Sequence, residues 1–389
     1  MMIYMYKEPI LFLPGPVNPP YNVNKMLSLP MIGHRTEEFH EIFADIINML
    51  RKIFMTSKSE IFLLTSSGTG AVESAIINCF SSREKVLIPI YGEFSRRASN
   101  IMKKHGIKTI ELNIPIGRGP ETELIKKEIR KKRNIKGIFI VYNDTSPGVF
   151  VRNLPEIADI ARNENILIVI DAVSILGGSK LFMDKWGIDV VVAATQKCLA
   201  TPPGISMIAV SKDAWDIMEK KNVKSLYFDL KEYRKFLLRN ETPFTPAINI
   251  LFSLRESLRN ILDIGLNNWI MMHKLRARIL YTFFEMAGFK PFVKKKFRSD
   301  TVLSFSTPKE LSPIKFKEEL RNRFSIYIAL GMGELKSKII RIGNMGYIPF
   351  NNLASLILAS SIIFKKYGIK IDIDEILDKT ASIHEKINM

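Results

Sequence analysis

Three places in this sequence carry residue types that could do chemistry together. The first is Lys197, in "VVVAATQKCLATPPG", where a β-branched and small apolar run stops at a single lysine before a turn through Pro202, Pro203 and Gly204. A lysine at the rim of a core admits two readings: a packed stem with its ammonium in water, or a desolvated amine whose lowered pKa makes it an imine-forming nucleophile. The second is Asp171, which directly follows "ILIVI". A carboxylate at the end of a buried strand is costly unless a cation, a metal or several donors hold it; a helix cap or an ion pair would also explain it. The third is "SSGTG", Ser66 to Gly70, between the run "IFLLT" and an amphipathic helical stretch. Small residues at a helix start let the backbone close on an anion, although a Ser- or Thr-capped turn looks the same in sequence. The G-K-[ST] ending of a nucleotide P-loop and the dinucleotide fingerprint G-x-G-x-x-G are both missing.

What must position these residues is a set of strands. From about Ile61 to Val210 short apolar runs ("IFLLT", "KVLIPI", "GIFIVY", "ILIVID", "DVVVAA", "SMIAVS") alternate with helical candidates at Ala71–Phe80, Phe94–Lys104 and Leu154–Arg162. That pattern predicts an α/β domain with a largely parallel, helix-covered sheet. Ligands of such sheets sit outside the carboxyl ends of the strands, which is where all three groups fall. Beyond "TPFTPAINILFSLRESLRNIL" the periodicity turns helical over a long stretch, and a smaller α/β unit follows. The expected division is an N-terminal arm (1–20), a large domain (21–254) and a small C-terminal domain (255–389), with the boundary inside a long helix or helix pair near Leu254.

Composition sets the outer limits. The chain has 389 residues, 47% hydrophobic and 25% charged, as expected for a soluble globular protein of two or three domains. Its formal charge of +18 raises nucleic acid as a partner. The basic residues are scattered, however, and Lys126–Lys136 reads as an exposed helix face and Lys294–Arg298 as a surface run. With no aromatic-interleaved or zinc-spaced pattern, a solvated surface is the reading, and no nucleic-acid partner is expected. Cys79 and Cys198 form neither a disulfide framework nor a metal cluster, so a reducing compartment and no metal are expected. No apolar stretch is long enough for a membrane span, and the opening lacks signal-peptide character, which makes the cytoplasm the default.

One ligand would use all three groups at once: a phosphate for the small-residue turn, a ring nitrogen for the carboxylate and an aldehyde for the lysine. That ligand is pyridoxal 5'-phosphate. At this point the chain resembles a known family, the class V aminotransferases of pyridoxal-phosphate fold type I, in particular the alanine:glyoxylate and serine:pyruvate group. The resemblance runs through "LPGPVNPP", "MIGHRTEEFHEIF", "SSGTGAVESA", "YGEFSRRA", "NDTSPGV", "DAVSILGG", "WGIDVVVAATQKCLATPPG", "TPAINILFSLRESL" and "LGMGELKSKIIRIGNMG", in the family's order.

The resemblance implies a large domain built on a mostly parallel seven-stranded sheet, plus a smaller C-terminal α/β domain. It implies that Lys197 is the imine lysine and proton carrier and that Asp171 pairs with the ring nitrogen. Thr69, Gly70, Ala71 and Gln196 would take the phosphate, Phe94 would stack on the ring, and Thr145 would lie near the phenolic oxygen. Arg341 would grip the substrate carboxylate and Gly15 would lie over the substrate side. Thr245 would reach the phosphate of a neighbouring subunit, which implies a homodimer with shared sites. The chain departs from the family at Thr242, where some members have a tyrosine, at Ser95, where glycine is frequent, and at Asp144, where glutamate is frequent.

The implied activity is ping-pong transamination from a small amino acid, L-serine or L-alanine, to pyruvate or glyoxylate. The alternatives are a 2-aminoethylphosphonate or phosphoserine transaminase, a lyase or desulfurase of the same class, and a non-catalytic basic binding protein. A desulfurase needs a cysteine on a late mobile loop, whereas Cys198 reads as a core residue.

Overall fold

The computed structural model describes residues 8–132, 134–372, 374, 375 and 378. Residues 1–7 of the expected arm, Arg133 in the basic run and 379–389 of the expected C-terminal domain lie outside these. The first strands along the chain are β1 (Ile10–Phe12), β2 (Glu60–Leu64), β3 (Lys85–Ile90), β4 (Lys108–Asn113), β5 (Ile135–Val141), β6 (Asn143–Asp144) and β7 (Val149–Phe150). After them come β8 (Leu167–Asp171), β9 (Val190–Ala194), β10 (Ser206–Val210), β11 (Lys290–Pro291), β12 (Val302–Ser306), β13 (Ile326–Leu330) and β14 (Ile340–Gly343).

A seven-stranded sheet runs β2-β10-β9-β8-β5-β3-β4. Only β10 is antiparallel to its neighbours, and the remaining pairs are parallel. At the centre, β8 and β9 read LIVID and VVVAA and are buried at every position, because helices cover both faces of such strands. Six of the seven strands coincide with the apolar runs. The seventh, β4, is "KTIELN" on a half-exposed edge, where charged side chains blunt a sheet border and leave no apolar run to read.

The helix after β2 is Gly68–Cys79, three residues earlier at its start than the expected Ala71, so Gly68, Thr69 and Gly70 form its first turn and Ser66 and Ser67 precede it. Helices at Glu93–Lys104 and Leu154–Asn163 match expectation. The basic run does so only in part: its helix, Thr122–Lys131, buries Ile125 and Ile129, but Ile135 and Lys136 open β5. There the β-branched run "IKGIFIV" is claimed by pairing with β3 and β8. Lys294–Lys296 are exposed while Phe297 tucks into the core.

Two helices, Ile248–Ile264 and Leu266–Met286, lead out of the large sheet and are separated by Gly265 at φ +88°. Leu254 packs into the large-sheet core, whereas Leu275, Ile279, Leu280, Phe283 and Phe284 of the second helix pack into a second core. That second core lies on a five-stranded sheet, β1-β13-β14-β12-β11. It is built on Phe284, Phe289, Phe305, Phe316 and Phe364, whose contacting rings lie 5.1 to 6.5 Å apart. Aromatic rings at such spacings add edge-to-face attraction to their burial.

β1 joins this sheet parallel to β13, which carries Pro14 and Gly15 back to the end of β9. The approach depends on Gly343, where a Cβ would lie 1.8 Å from the carbonyl oxygen of Leu13. Among the described residues no helix is long and apolar enough to cross a membrane, and no cluster of His, Cys, Asp and Glu could hold a metal ion.

Candidate active site

The ends of five strands meet at one cleft. β2 delivers Gly68 and Thr69, β3 delivers Phe94 and Arg97, β5 delivers Asn143 and Thr145, β8 delivers Asp171, Val173 and Ser174, and β9 delivers Lys197.

Lys197 stands in a turn fixed on both sides. Thr195 Oγ1 donates to the carbonyl of Pro202 at 2.7 Å, Ala200 N–H to that of Lys197 at 3.0 Å, and Thr201 N–H to that of Thr195 at 3.2 Å. The ammonium donates to the carbonyl of Pro14. Burial pushes its pKa down to about 8, and the positive charge of Arg341 acts in the same direction. An amine so tuned is still mostly protonated at pH 7, but about a tenth of it is the free base a nucleophile requires, far more than at the ordinary value of 10.5. Gly15, at φ +93°, lies against it: a Cβ there would come within 2.4 Å of Lys197 Nζ. Gly15→Ala is therefore expected to displace the amine and lower turnover on the order of a hundredfold. It should cost only about 1–2 kcal/mol of stability through the left-handed backbone, as steady-state rates and urea unfolding would show.

Asp171 is 8% exposed, and its Oδ1 accepts the N–H of Val173 at 2.9 Å. Burial raises its pKa to about 6, with Asp144 acting the same way and Lys197 and Arg97 opposing. The carboxyl is thus poised to share a proton with a basic partner rather than to stand as a fixed anion.

Two of the departures from the family meet here. Asp144 is wholly buried. Its Oδ2 accepts the N–H groups of Phe94 and Ser95, at 3.1 and 2.9 Å, at the start of the Glu93–Lys104 helix. Its Oδ1 accepts the N–H and hydroxyl of Ser146, at 3.1 and 2.6 Å. The hydroxyl of Ser95 lies 3.1 Å from Oδ2 and itself accepts the N–H groups of Tyr91 and Gly92. Carboxylate and hydroxyl together orient the helix that carries Phe94. Asp144→Asn would set an amide N–H2 against these donors and is expected to cost about 3 kcal/mol, read from the urea midpoint.

Arg341, on β14, is buried, and its pKa is pushed down to about 10 by that burial. Nε donates to Leu330 O at 2.8 Å and Nη1 to Thr145 O at 2.9 Å. The guanidinium is therefore locked in direction, with three of its five N–H donors uncommitted to these carbonyls. Through Thr145 it is tied to the cleft wall.

Other expected site residues stand off the cleft wall. Gly70 and Ala71 lie in the first turn of the Gly68–Cys79 helix, their N–H groups directed at Ser67 O at 2.9 and 3.4 Å. Gln196 flanks Lys197, and its Oε1 is buried with no hydrogen-bond partner among the described residues. Thr245 is exposed, and its segment is tied to the end of β2 by Ala247 N–H donating to Thr65 Oγ1 at 3.0 Å. Thr242 is buried and its hydroxyl is committed to Phe244 O at 2.7 Å. Cys198 is wholly buried, with its thiol turned to Ser174 O at 3.6 Å and pushed up to about 12 by burial, which leaves it unreactive. Sequence reasoning missed Arg97 and Asn143. Arg97 follows Phe94 by three helical positions and so shares its face, a spacing that would have found it.

This donor set fits a phosphorylated pyridine aldehyde. The free N–H groups of a helix start and the Thr69 hydroxyl suit a phosphate. The buried Gln196 Oε1 has no hydrogen-bond partner among the described residues, and turning its amide by 180° would put an N–H2 donor in that place. Phe94 offers a ring face, Asp171 a proton-sharing carboxyl and Lys197 an amine.

Comparison with known proteins agrees with this chemistry. The family described as aminotransferase class-V matches residues 21–338. An uncharacterized aminotransferase of Methanocaldococcus jannaschii is 35% identical over 365 residues, 93% of this chain and 94% of that protein. The serine–glyoxylate aminotransferase of Hyphomicrobium methylovorum is 30% identical over 374 residues, covering 94% and 92%. Among solved structures, the ureidoglycine–glyoxylate aminotransferase of Bacillus subtilis superposes with a TM-score of 0.90 at 26% identity, covering 97% of this chain and 98% of that one.

Proposed function

Since this chain belongs to the class-V aminotransferases, we propose that it moves the amino group of a small amino acid, L-serine or L-alanine, to a small 2-oxo acid, glyoxylate or pyruvate. The observation that carries this reading is the convergence of Lys197, Asp171 and the Thr69 helix start on one cleft, with Arg341 locked behind Thr145.

When bound, pyridoxal phosphate supplies an aldehyde that takes up the donor's amine and a ring that accepts the electrons released at Cα. Thr69, Gln196 and the helix start would hold its phosphate, Phe94 its ring face and Asp171 its ring nitrogen. Lys197 Nζ removes the Cα proton of the donor and later returns a proton to Cα of the product; its lowered pKa suits both tasks near neutral pH. Arg341 orients the α-carboxylate by its uncommitted donors. Gly15 closes the space above Lys197 so tightly that a donor with a small side chain is favoured. Two relatives named for glyoxylate support that acceptor. In the same reading a second copy of the chain completes the site with its Thr245, and the protein sediments as a dimer.

The test is direct. The purified protein is incubated with pyridoxal phosphate, treated with borohydride and digested, and Lys197 should carry the fixed cofactor by mass spectrometry. L-serine and L-alanine are then each paired with glyoxylate and pyruvate. Failure of serine, alanine and glycine alike to pass on their amine would overturn the assignment.

A further inference from the structure

Arg97 has no part in the functions assigned above. It is exposed on the Glu93–Lys104 helix and lines the cleft with Thr69, Phe94, Asp171 and Lys197. Its guanidinium carbon lies 4.8 Å from the centroid of the Phe94 ring, and Nη1 is 3.4 Å from Thr69 Oγ1. Among the described residues it forms no ion pair with a carboxylate. Cation–π contact with Phe94 fixes where the charge sits without neutralising it.

The cations near the cleft divide by task. Lys197 is bound to Pro14 O, at the substrate side beneath Gly15. Arg341 is committed to Leu330 O and Thr145 O. Among the described residues that line the cleft, Arg97 is the cation at the Thr69 end, where the Gly68–Cys79 helix begins. The other groups at that end are neutral: backbone N–H groups and the Thr69 hydroxyl. A phosphomonoester near neutral pH carries close to two negative charges, and planar guanidinium donors match its oxygens.

We propose that Arg97 is the counter-charge for the phosphate of the bound cofactor, so that the cleft binds its two anions at separate cations, phosphate at Arg97 and substrate carboxylate at Arg341. This rests on the reading that pyridoxal phosphate occupies the cleft.

The experiment separates the phosphate from the rest of the ligand. Cofactor-free wild type, Arg97→Gln and Arg97→Lys are titrated, by absorbance or fluorescence, with pyridoxal phosphate and with pyridoxal, which lacks the phosphate. Arg97→Gln is expected to weaken pyridoxal phosphate roughly 10- to 100-fold, the scale of a charge-assisted hydrogen bond, while pyridoxal binding stays within about twofold. Arg97→Lys, which keeps the charge and loses the fork, should recover part of the loss. Equal weakening of both ligands, or of neither, overturns the proposal. If borohydride fixes neither ligand on Lys197 of the wild type, the underlying functional reading fails and the inference falls with it. Fixation on the wild type with unchanged discrimination in Arg97→Gln removes the inference alone.

Discussion

Replacing Lys197 by methionine is expected to end turnover and, at the same time, to stabilise the cofactor-free chain. Loss of the amine removes both a nucleophile and a positioned proton carrier, so the rate should fall at least about ten-thousand-fold. Turnover above about 1% of wild type would sink the assignment. The stability gain follows from the pKa shift. The ammonium titrates near 8 in the folded chain against 10.5 ordinarily. A depressed folded-state pKa contributes stability above the unfolded value and loses it as pH falls from 10.5 through 8. At pH 7 the full penalty stands, about 3 kcal/mol. Asp171 loses a favourable neighbour in the variant, so the net gain should be nearer about 2 kcal/mol. Urea titrations at pH 7 and above about pH 11 check this, because the advantage should vanish at the higher pH.

Asp171→Asn should show the same conflict with the opposite pH dependence. Asparagine keeps an acceptor for the Val173 N–H but cannot hold a proton in partnership with a ring nitrogen. We expect turnover to fall on the order of a thousandfold, as when a preorganised electrostatic partner is lost. The carboxyl titrates near 6 in the folded chain against 3.8 ordinarily. A raised folded-state pKa gives stability that is present below the unfolded value and lost as pH rises through the folded one. The cofactor-free variant should therefore match wild type below about pH 4 and exceed it by up to about 2–3 kcal/mol above about pH 7. A variant that is active, or no more stable at pH 7, contradicts the role given to Asp171. In both cases the folded chain holds a charge in a place that folding alone would not choose, as active sites commonly do.

Much of this was readable because strand ends are readable. The runs before Asp171 and Lys197 are buried throughout, so a charge that ends them stands out against its background. Asp144 was visible as a departure, but its partner Ser95 sits 49 residues earlier, and only the fold brings the two together. Arg97 was missed for a different reason: among 57 basic residues a helix-surface arginine does not stand out by its type, and only its spacing from Phe94 marks it. β4 escaped because an edge strand keeps its charges. The basic run misled at Lys136, where pairing partners distant in sequence override local periodicity. Cross-subunit contacts such as that expected of Thr245 depend on a second chain and cannot be written in local patterns at all.

The parallel pairing of β1 with β13 also has a bearing on how the molecule is made. Ile10 finds its partner Ile326 some 316 residues later, and the carbonyl that receives Lys197 lies just past that strand, at Pro14. At roughly 5–20 residues per second, a ribosome leaves the first strand unpaired for on the order of 15–60 s. During that interval the large sheet can form, but the amine has no Pro14 carbonyl and no Gly15 roof. The surroundings of Lys197 are therefore among the last parts of the chain to assemble, and a nascent chain stopped short of β13 presents a bare strand and an open lysine.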